Sequence, residues 1–315
     1  MSATDTPPAF PSDSDYQARL DDTGFWFPRV AGVFRRLGIE AEEQPHAGVG
    51  GTFPTLLSRD VVIKLFGHLP FWRSAYEAER AAIRCVATDP RILAPSLLAE
   101  GRLFDDPTEP WRYLVTTRTT ATHWKDADLS TDEKAMVAAD LGRQVQRIHA
   151  LMPPDEVATP DSWRGYDLSE AARKTALPQR LAAQVDDFVR RNAPSANPVF
   201  VHGDLMYRHV FVDGGRLSGL IDWGDAVVTD RHYELAQIQL NLFDGDKTLL
   251  RTFLDHSNWP VEPTFAHRAL TDAFHRQAVG LAQHRTMDVF YKVPGFVALE
   301  DIETLDELAD ALFGV

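Results

Sequence analysis

Apolar and polar positions along the chain change period several times, and each change marks an element. Residues 25–37 (FWFPRVAGVFRRL) have the spacing of a short amphipathic helix. Residues 60–66 (DVVIKLF) form a β-branched, apolar run that reads as a strand. Helical spacing follows over 73–88, and shorter strands are expected within 91–104 and at 111–117. These elements make a small mixed α/β module over residues 23–117. Beyond it the pattern is mainly helical. Ser130 and Glu133 fit a capping box ahead of Met136, Val137, Leu141, Val145 and Ile148. Leu181, Val185 and Phe188 mark a further helix. Three short strands interrupt, at 199–201, 209–213 and 217–222, the last two joined through Gly214-Gly215 as a hairpin. Helical spacing then resumes over 232–256, 262–285 and 302–312. Residues 1–22, rich in Pro, Ser and Asp, are expected to be a disordered or loosely draped arm. Residues 118–315 form the helical domain.

Charge narrows the partners. The 315 residues carry 32 Lys plus Arg against 46 Asp plus Glu, a net charge of −14. That argues against nucleic acid or an anionic membrane surface and suits a cationic small molecule, although acidity also serves solubility. A single cysteine, Cys85, excludes an intramolecular disulfide and a zinc site built on several thiolates. No apolar run is long enough to span a membrane, and the N-terminus lacks the basic and apolar regions of a signal peptide. A cytoplasmic monomer or weak homodimer is expected.

The densest polar cluster is His202-Gly203-Asp204, His209 and Asp222-Trp223-Gly224-Asp225. Asp204 follows one strand and Asp222 ends the hairpin, so the two can approach each other and His209. Carboxylates so placed supply hard oxygen ligands for a divalent metal beside a phosphate, and a separate carboxylate to orient an attacking hydroxyl. As isolated residues they would simply cap turns. A second cluster lies upstream. Lys64 interrupts the apolar strand, and Glu79 falls on the inward stripe of the next helix with Tyr76, Ile83 and Val86, while Glu77 faces out. An inward Glu needs a cation, and Lys64 is at hand. The preceding run Gly48–Thr52 can drape backbone N–H groups over phosphates, although most such runs are hairpin turns.

The order glycine-rich turn, strand Lys, helix Glu, then two strand-end Asp residues is the logic of a kinase. VVIKLF, YEAER, VHGDL and LIDWGDA together resemble the aminoglycoside phosphotransferase family, and FWFP, VIKLFG, QIQLNLFDGDK and ELADALFG are most similar to its hygromycin B phosphotransferases. The resemblance runs from about Phe25 to the C-terminus. It implies an α+β, protein-kinase-like two-lobe fold with a small mixed β-sheet N-lobe that binds nucleotide and a mainly helical C-lobe. It implies transfer of the γ-phosphoryl group of ATP, with GTP not excluded, to a hydroxyl of a small molecule. Asp204 would orient that hydroxyl and accept its proton. Asp222 would bind Mg²⁺. Lys64 would contact the phosphates and pair with Glu79. Gly50, Gly51 and Thr52 would form the nucleotide-positioning loop, and Thr116, Thr117 and Thr119 the adenine hinge.

One position departs from the family pattern. His209 stands where the family usually has Asn as second metal ligand. It can bind a metal, with Mn²⁺ favoured, hydrogen-bond Asp204 or a phosphate, or weaken the site. Asp225 and Asp230 are the best candidates to face a cationic substrate. A small-metabolite kinase and a kinase-like nucleotide binder without transfer are the alternatives of the same fold. A distant rival is a non-haem iron oxygenase using His202 and Asp204, with His256 or His267 as third ligand, but the helical period after Asp222 leaves no room for its strands.

Overall fold

The computed structural model describes residues 6–39, 45–48, 50–104, 111–157, 165–192, 198–282 and 288–315. The chain divides into two compact units, 1–88 with 94–120 and 89–93 with 121–315. The division falls three residues beyond the boundary read from the pattern, and a short excursion at 89–93 joins the second unit. Hydrogen bonds explain the excursion. Gln144 accepts from the Leu93 N–H (2.9 Å) and donates to the Arg91 carbonyl (3.0 Å), and the Leu220 N–H donates to the Leu93 carbonyl (2.7 Å).

The first unit runs α1 (Asp13–Gln17), α2 (Thr23–Arg36), β1 (His46–Ala47), β2 (Thr55–Ser58), β3 (Val61–Phe66), α3 (Trp72–Val86), β4 (Leu97–Arg102) and β5 (Arg112–Thr117). Its strands pair antiparallel in the order β1-β2-β3-β5-β4. The β-branched run places β3 at the centre, where Ile63 faces Leu56 on one side and Val115 on the other. Residues 6–22 depart from the expected loose arm. Ser12 caps α1, and Tyr16 and Leu20 are buried in one core with Trp26, Phe66 and Trp111. Phe10 packs edge-on against Tyr16 and His68, with ring centroids 5.4 and 5.1 Å apart. These apolar anchors offset a composition that otherwise disfavours order.

The second unit runs β6 (Thr122–His123), α4 (Thr131–His149), α5 (Leu168–Arg173), α6 (Gln179–Ala182), α7 (Val185–Arg191), β7 (Val199–Val201), β8 (Val210–Asp213), β9 (Arg216–Leu220), β10 (Val227–Thr229), α8 (Tyr233–Gln237), α9 (Lys247–Ser257), α10 (Phe265–Ala282) and α11 (Leu305–Phe313). Ser130 and Glu133 close both bonds of the capping box that starts α4, while Met136 lies on its exposed face. β8 and β9 form the expected hairpin, and left-handed Gly214 and Gly215 supply the turn whose twist matches the strands. β6 adds to β8, and β7 pairs with β10. The helix expected over 232–256 is broken. After α8 the backbone widens into a π turn at Ile238–Leu242, then turns through Asp244 and Gly245 to Asp246. Asp246 restarts α9 by accepting from the Thr248 and Leu249 N–H groups (2.8 and 3.1 Å). Among the described residues, no helix is long and apolar enough to cross a membrane.

The burial of Tyr16 makes a direct prediction. Tyr16→Ala should lower stability by ~3–5 kcal/mol in urea unfolding, the usual loss for a core aromatic. A loosely draped arm would leave the midpoint unchanged.

Candidate active site

In the first unit, strand alternation and helix periodicity bring two opposite charges together. Lys64 projects from β3 and Glu79 from the inward face of α3, and Nζ lies 2.7 Å from Oε2. Both side chains are largely buried, at 17% and 10% exposure, so each satisfies a charge that would be costly alone. Of the glycine-rich run, Gly50 and Gly51 are exposed, and Val49 lies outside the described residues. The Thr52 carbonyl accepts a hydrogen bond from the Tyr16 hydroxyl (3.1 Å). Thr116 and Thr117 end β5 opposite Val62 and Val61 of β3, and Thr119 follows half-buried. The Thr117 hydroxyl accepts from the Ser96 N–H (2.9 Å), which fixes the approach to β4.

In the second unit, β7 delivers His202-Gly203-Asp204 into a tight turn. Gly203 has φ +81°, and a Cβ there would collide with the Asp225 carbonyl, so only glycine fits. Glu234 of α8 holds this turn from behind, its two oxygens accepting from the N–H groups of His202 (2.9 Å) and Gly203 (2.7 Å). Complete burial pushes the Glu234 carboxyl up to about 7 despite those two bonds. The His202 ring packs against Trp223 at a tilt of 47°, with centroids 4.4 Å apart. Its Nδ1 accepts from the Asp204 N–H (3.2 Å), so Nε2 carries the proton and donates to the Ile221 carbonyl (3.0 Å). Burial lowers its pKa to about 4 and keeps it neutral. With both nitrogens engaged inside the protein, His202 is not a metal ligand, and the iron-site reading falls. His256 and His267 serve elsewhere: one bonds the Thr252 carbonyl (2.9 Å), the other Asp306 (3.0 Å).

Asp204 is held by three side chains. Oδ1 accepts from Gln237 Nε2 (2.5 Å) and Arg276 Nη2 (3.0 Å), and Oδ2 lies 3.2 Å from His209 Nδ1. His209 Nδ1 also donates to the Asp204 carbonyl (2.8 Å), and its Nε2 points at Asp222 Oδ2 (3.5 Å). Burial would raise the Asp204 carboxyl, but the charges of His209 and Arg276 hold it below its ordinary value. Burial alone would likewise lower His209; Asp204 and Asp222 outweigh it and raise the imidazole to about 9. Asp222 differs in two ways. Its side chain is 39% exposed against 13% for Asp204, and its backbone is left-handed at φ +64°, a conformation Asp tolerates better than most residues.

This donor set fits one hard cation on the Asp222 side. Asp222 offers an accessible carboxylate, the ligand Mg²⁺ prefers. His209 commits Nδ1 to Asp204, while its Nε2 lies on the Asp222 side, where a neutral imidazole would offer a lone pair that Mg²⁺ accepts less readily than oxygen. Of the three roles open to His209, the structure displays the hydrogen bond to Asp204. The expected substrate-facing acids also differ. Asp230 is 4% exposed and bonds His232 (2.7 Å) and Arg268 (2.8 Å), because it closes the loop between β10 and α8. Asp230, His232 and Asp272 bring ligand atoms within 4.8 Å of one another, but Arg268 already supplies the countercharge. Asp225, 11% exposed, bonds Arg276 Nη2 at 2.9 Å.

Arg276 and Gln237 were not singled out from the sequence, and Glu234 was named there only as an acid that could face the substrate. Arg276 repeats the spacing of the buried α10 positions Ala269 and Ala273, so an inward cation was the available signal. Gln237 lies in an apolar stretch with no local signal that names its partner Asp204. Two outcomes follow. Arg276→Met should cost ~3–5 kcal/mol in chemical unfolding, since it strands Asp204 and Asp225 without their shared partner. In metal-free protein, His209 binds a proton in the native state that the unfolded chain releases above its ordinary value of 6.5. Its stabilising contribution is complete below pH 6.5 and is lost as the pH rises to about 9. Urea midpoints across that window should fall in the native protein and flatten in His209→Asn; parallel curves would refute the assignment.

Residues 59–270 match the family described as the phosphotransferase enzyme family. An aminoglycoside 3'-phosphotransferase from Enterococcus faecalis is 32% identical over 71 residues, covering 22% of this chain and 27% of that relative's length. The structure of the GDP and kanamycin complex of APH(2")-IIIa is similar at a TM-score of 0.67 with 17% identity, over 88% of this chain and 97% of that one. The macrolide 2'-phosphotransferase of Brachybacterium faecium gives a TM-score of 0.56 at 15% identity, over 91% and 98%. These likenesses show a shared fold, the α+β, kinase-like arrangement expected from the motifs. With two thirds of its length matched, this chain belongs to the phosphotransferase enzyme family.

Proposed function

We propose that the chain transfers the γ-phosphoryl group of ATP directly to a hydroxyl of a small molecule, with no covalent enzyme intermediate. The observation that carries this reading is the pairing of unlike carboxylates in the second unit. Asp204 is buried, charged and immobilised by Gln237, Arg276 and His209, whereas Asp222 is open to solvent 39% and suited to a metal–nucleotide complex. The new bond joins the acceptor oxygen to the γ-phosphorus, the bond from that phosphorus to the β-bridging oxygen breaks, and the hydroxyl proton leaves. Asp204 orients the hydroxyl and receives that proton. Held below its ordinary pKa, it is a weak base, which suffices where the transition state is loose and the proton leaves late. Mg²⁺, held by Asp222 and the phosphates, would neutralise charge on the transferring group. Lys64, fixed by Glu79, would contact the phosphates, the loop through Gly50, Gly51 and Thr52 would lie over them, and Thr116, Thr117 and Thr119 would face the adenine.

Relatives supply the panel to test. Solved structures similar in fold are described as a GDP and kanamycin complex and as an ADP-bound aminoglycoside phosphotransferase, so ATP and GTP both belong in the assay. The acceptor panel holds hygromycin B, on sequence resemblance, with other aminoglycosides, macrolides and small metabolites that carry a hydroxyl. In purified protein with Mg²⁺ or Mn²⁺, an acceptor should stimulate ADP release and gain one phosphate by mass spectrometry. Asp204→Asn should lower turnover by ~10²–10⁴-fold while nucleotide affinity stays unchanged. Undiminished turnover in that variant would refute the assignment. His209 also favours a second reading, nucleotide binding without transfer, because imidazole is a poorer match for Mg²⁺ than an oxygen ligand. Retained ADP binding with no phosphorylated product would select it.

A further inference from the structure

Tyr207 and Arg208 lie between Asp204 and His209 in the turn that carries the reacting carboxylate. Three cations from separate stretches of the second unit gather at the Tyr207 ring. Lys292 Nζ is 4.4 Å from its centroid, the Arg208 guanidinium carbon 5.4 Å, and Lys125 Nζ 5.8 Å. The Tyr291 hydroxyl reaches the Tyr207 hydroxyl at 3.5 Å. Bringing three like charges to one ring has an electrostatic cost. Among the described residues, Asp244 alone pairs with them, 2.6 Å from Lys292, and Arg208 and Lys125 form no ion pair. Burial would raise the Tyr207 hydroxyl, yet Tyr291, Arg208 and Lys292 bring it below its ordinary value, as a positive field does. This concentration of positive charge runs against a chain whose net charge is −14.

A continuous set of hydrogen bonds ties the cluster to the reacting carboxylate. Lys292 Nζ donates to the Asn241 carbonyl (3.1 Å), Asn241 Nδ2 to Gln237 Oε1 (2.7 Å), and Gln237 Nε2 to Asp204 Oδ1 (2.5 Å). Meanwhile Asp225 and Asp230, the acids expected to attract a polycation, are neutralised by Arg276 and Arg268. We propose that Lys292, Arg208, Lys125 and the Tyr207–Tyr291 pair form the acceptor subsite, and that the acceptor carries an anionic group, a carboxylate or phosphate ester, on the molecule that bears the reacting hydroxyl. Cations beside two phenolic donors are suited to such a group. The assignment rests on the phosphotransferase reading. The same cations would also suit the phosphates of the donor nucleotide, and the test separates the two sources.

Calorimetric titration of the full chain uses Mg·ADP, glucuronate, glucose and hygromycin B, with the native protein, Arg208→Gln and Lys292→Gln. Arg208 is exposed, so its variant tests the idea even if Lys292→Gln fails to fold. Glucuronate should bind more tightly than glucose, and each substitution should weaken glucuronate by about tenfold or more while ADP affinity stays within about twofold. Hygromycin B should bind the native protein more weakly than glucuronate does. A tenfold loss of ADP affinity instead would assign the cations to the nucleotide and overturn the proposal. So would equal binding of glucuronate and glucose, or tighter binding of hygromycin B to the native protein. Absence of ADP binding to the native protein would refute the phosphotransferase reading separately, whatever glucuronate does.

Discussion

A carboxylate that is buried and still charged organises the second unit. Asp204 cannot keep its charge in that position without partners, because the desolvation of an unpaired carboxylate exceeds anything packing would return. Its partners come from three places: Arg276 from α10, Gln237 from α8 and His209 from the entry to β8. Each must therefore be held at hydrogen-bonding distance, and the surrounding elements are arranged to do so. Glu234 anchors the turn, Gly203 lets it pass close to Asp225, and the hairpin brings Asp222 back beside His209. Packing of apolar faces holds the elements together, but the demand of Asp204 for partners specifies which polar groups face inward.

The same constraint separates the two carboxylates chemically. Identical side chains a short distance apart differ because one is enclosed by donors and the other is left 39% exposed at the end of a strand. His209 sits between them with a nitrogen toward each, and their two negative charges keep it protonated. The imidazolium therefore screens one carboxylate from the other before any metal is present. A ligand with oxygen or amide character at this position would leave that repulsion to the metal. The substitution changes how the site is balanced without removing the carboxylate on which the hydroxyl would lie.

Local periodicity made much of this visible in advance. The alternation around Lys64 and the three- and four-residue spacing around Glu79 placed an ion pair that the structure forms at 2.7 Å. The strand-end positions of Asp204 and Asp222 were legible for the same reason, as was the hairpin between them. What local pattern cannot express is the identity of distant partners. Arg276 lies 72 residues from Asp204, and nothing near either residue names the other. Composition misled at the N-terminus, where Tyr16 and Leu20 carry enough buried surface to order a segment rich in Pro, Ser and Asp. Closeness in sequence to Asp222 misled over Asp230, which is buried and bonded to Arg268 and His232. The uninterrupted helical period of 232–256 hid a π turn because period alone does not register the capping strength of Asp246.

Net charge and local charge differ in sign in the second unit. A total of −14 describes the field far from the surface, where a ligand is first steered. Within a Debye length of about 8 Å in physiological salt, the nearest side chains set the potential, and here those around Tyr207 in the Asp204–His209 turn include Lys125, Arg208 and Lys292. An acceptor with a single anionic group would approach against the global field and be retained by the local one. A polycation would be drawn toward the molecule and then meet like charge at the point of reaction. Selectivity in such a site comes from the second step, because discrimination between ligands is decided where groups are desolvated and paired.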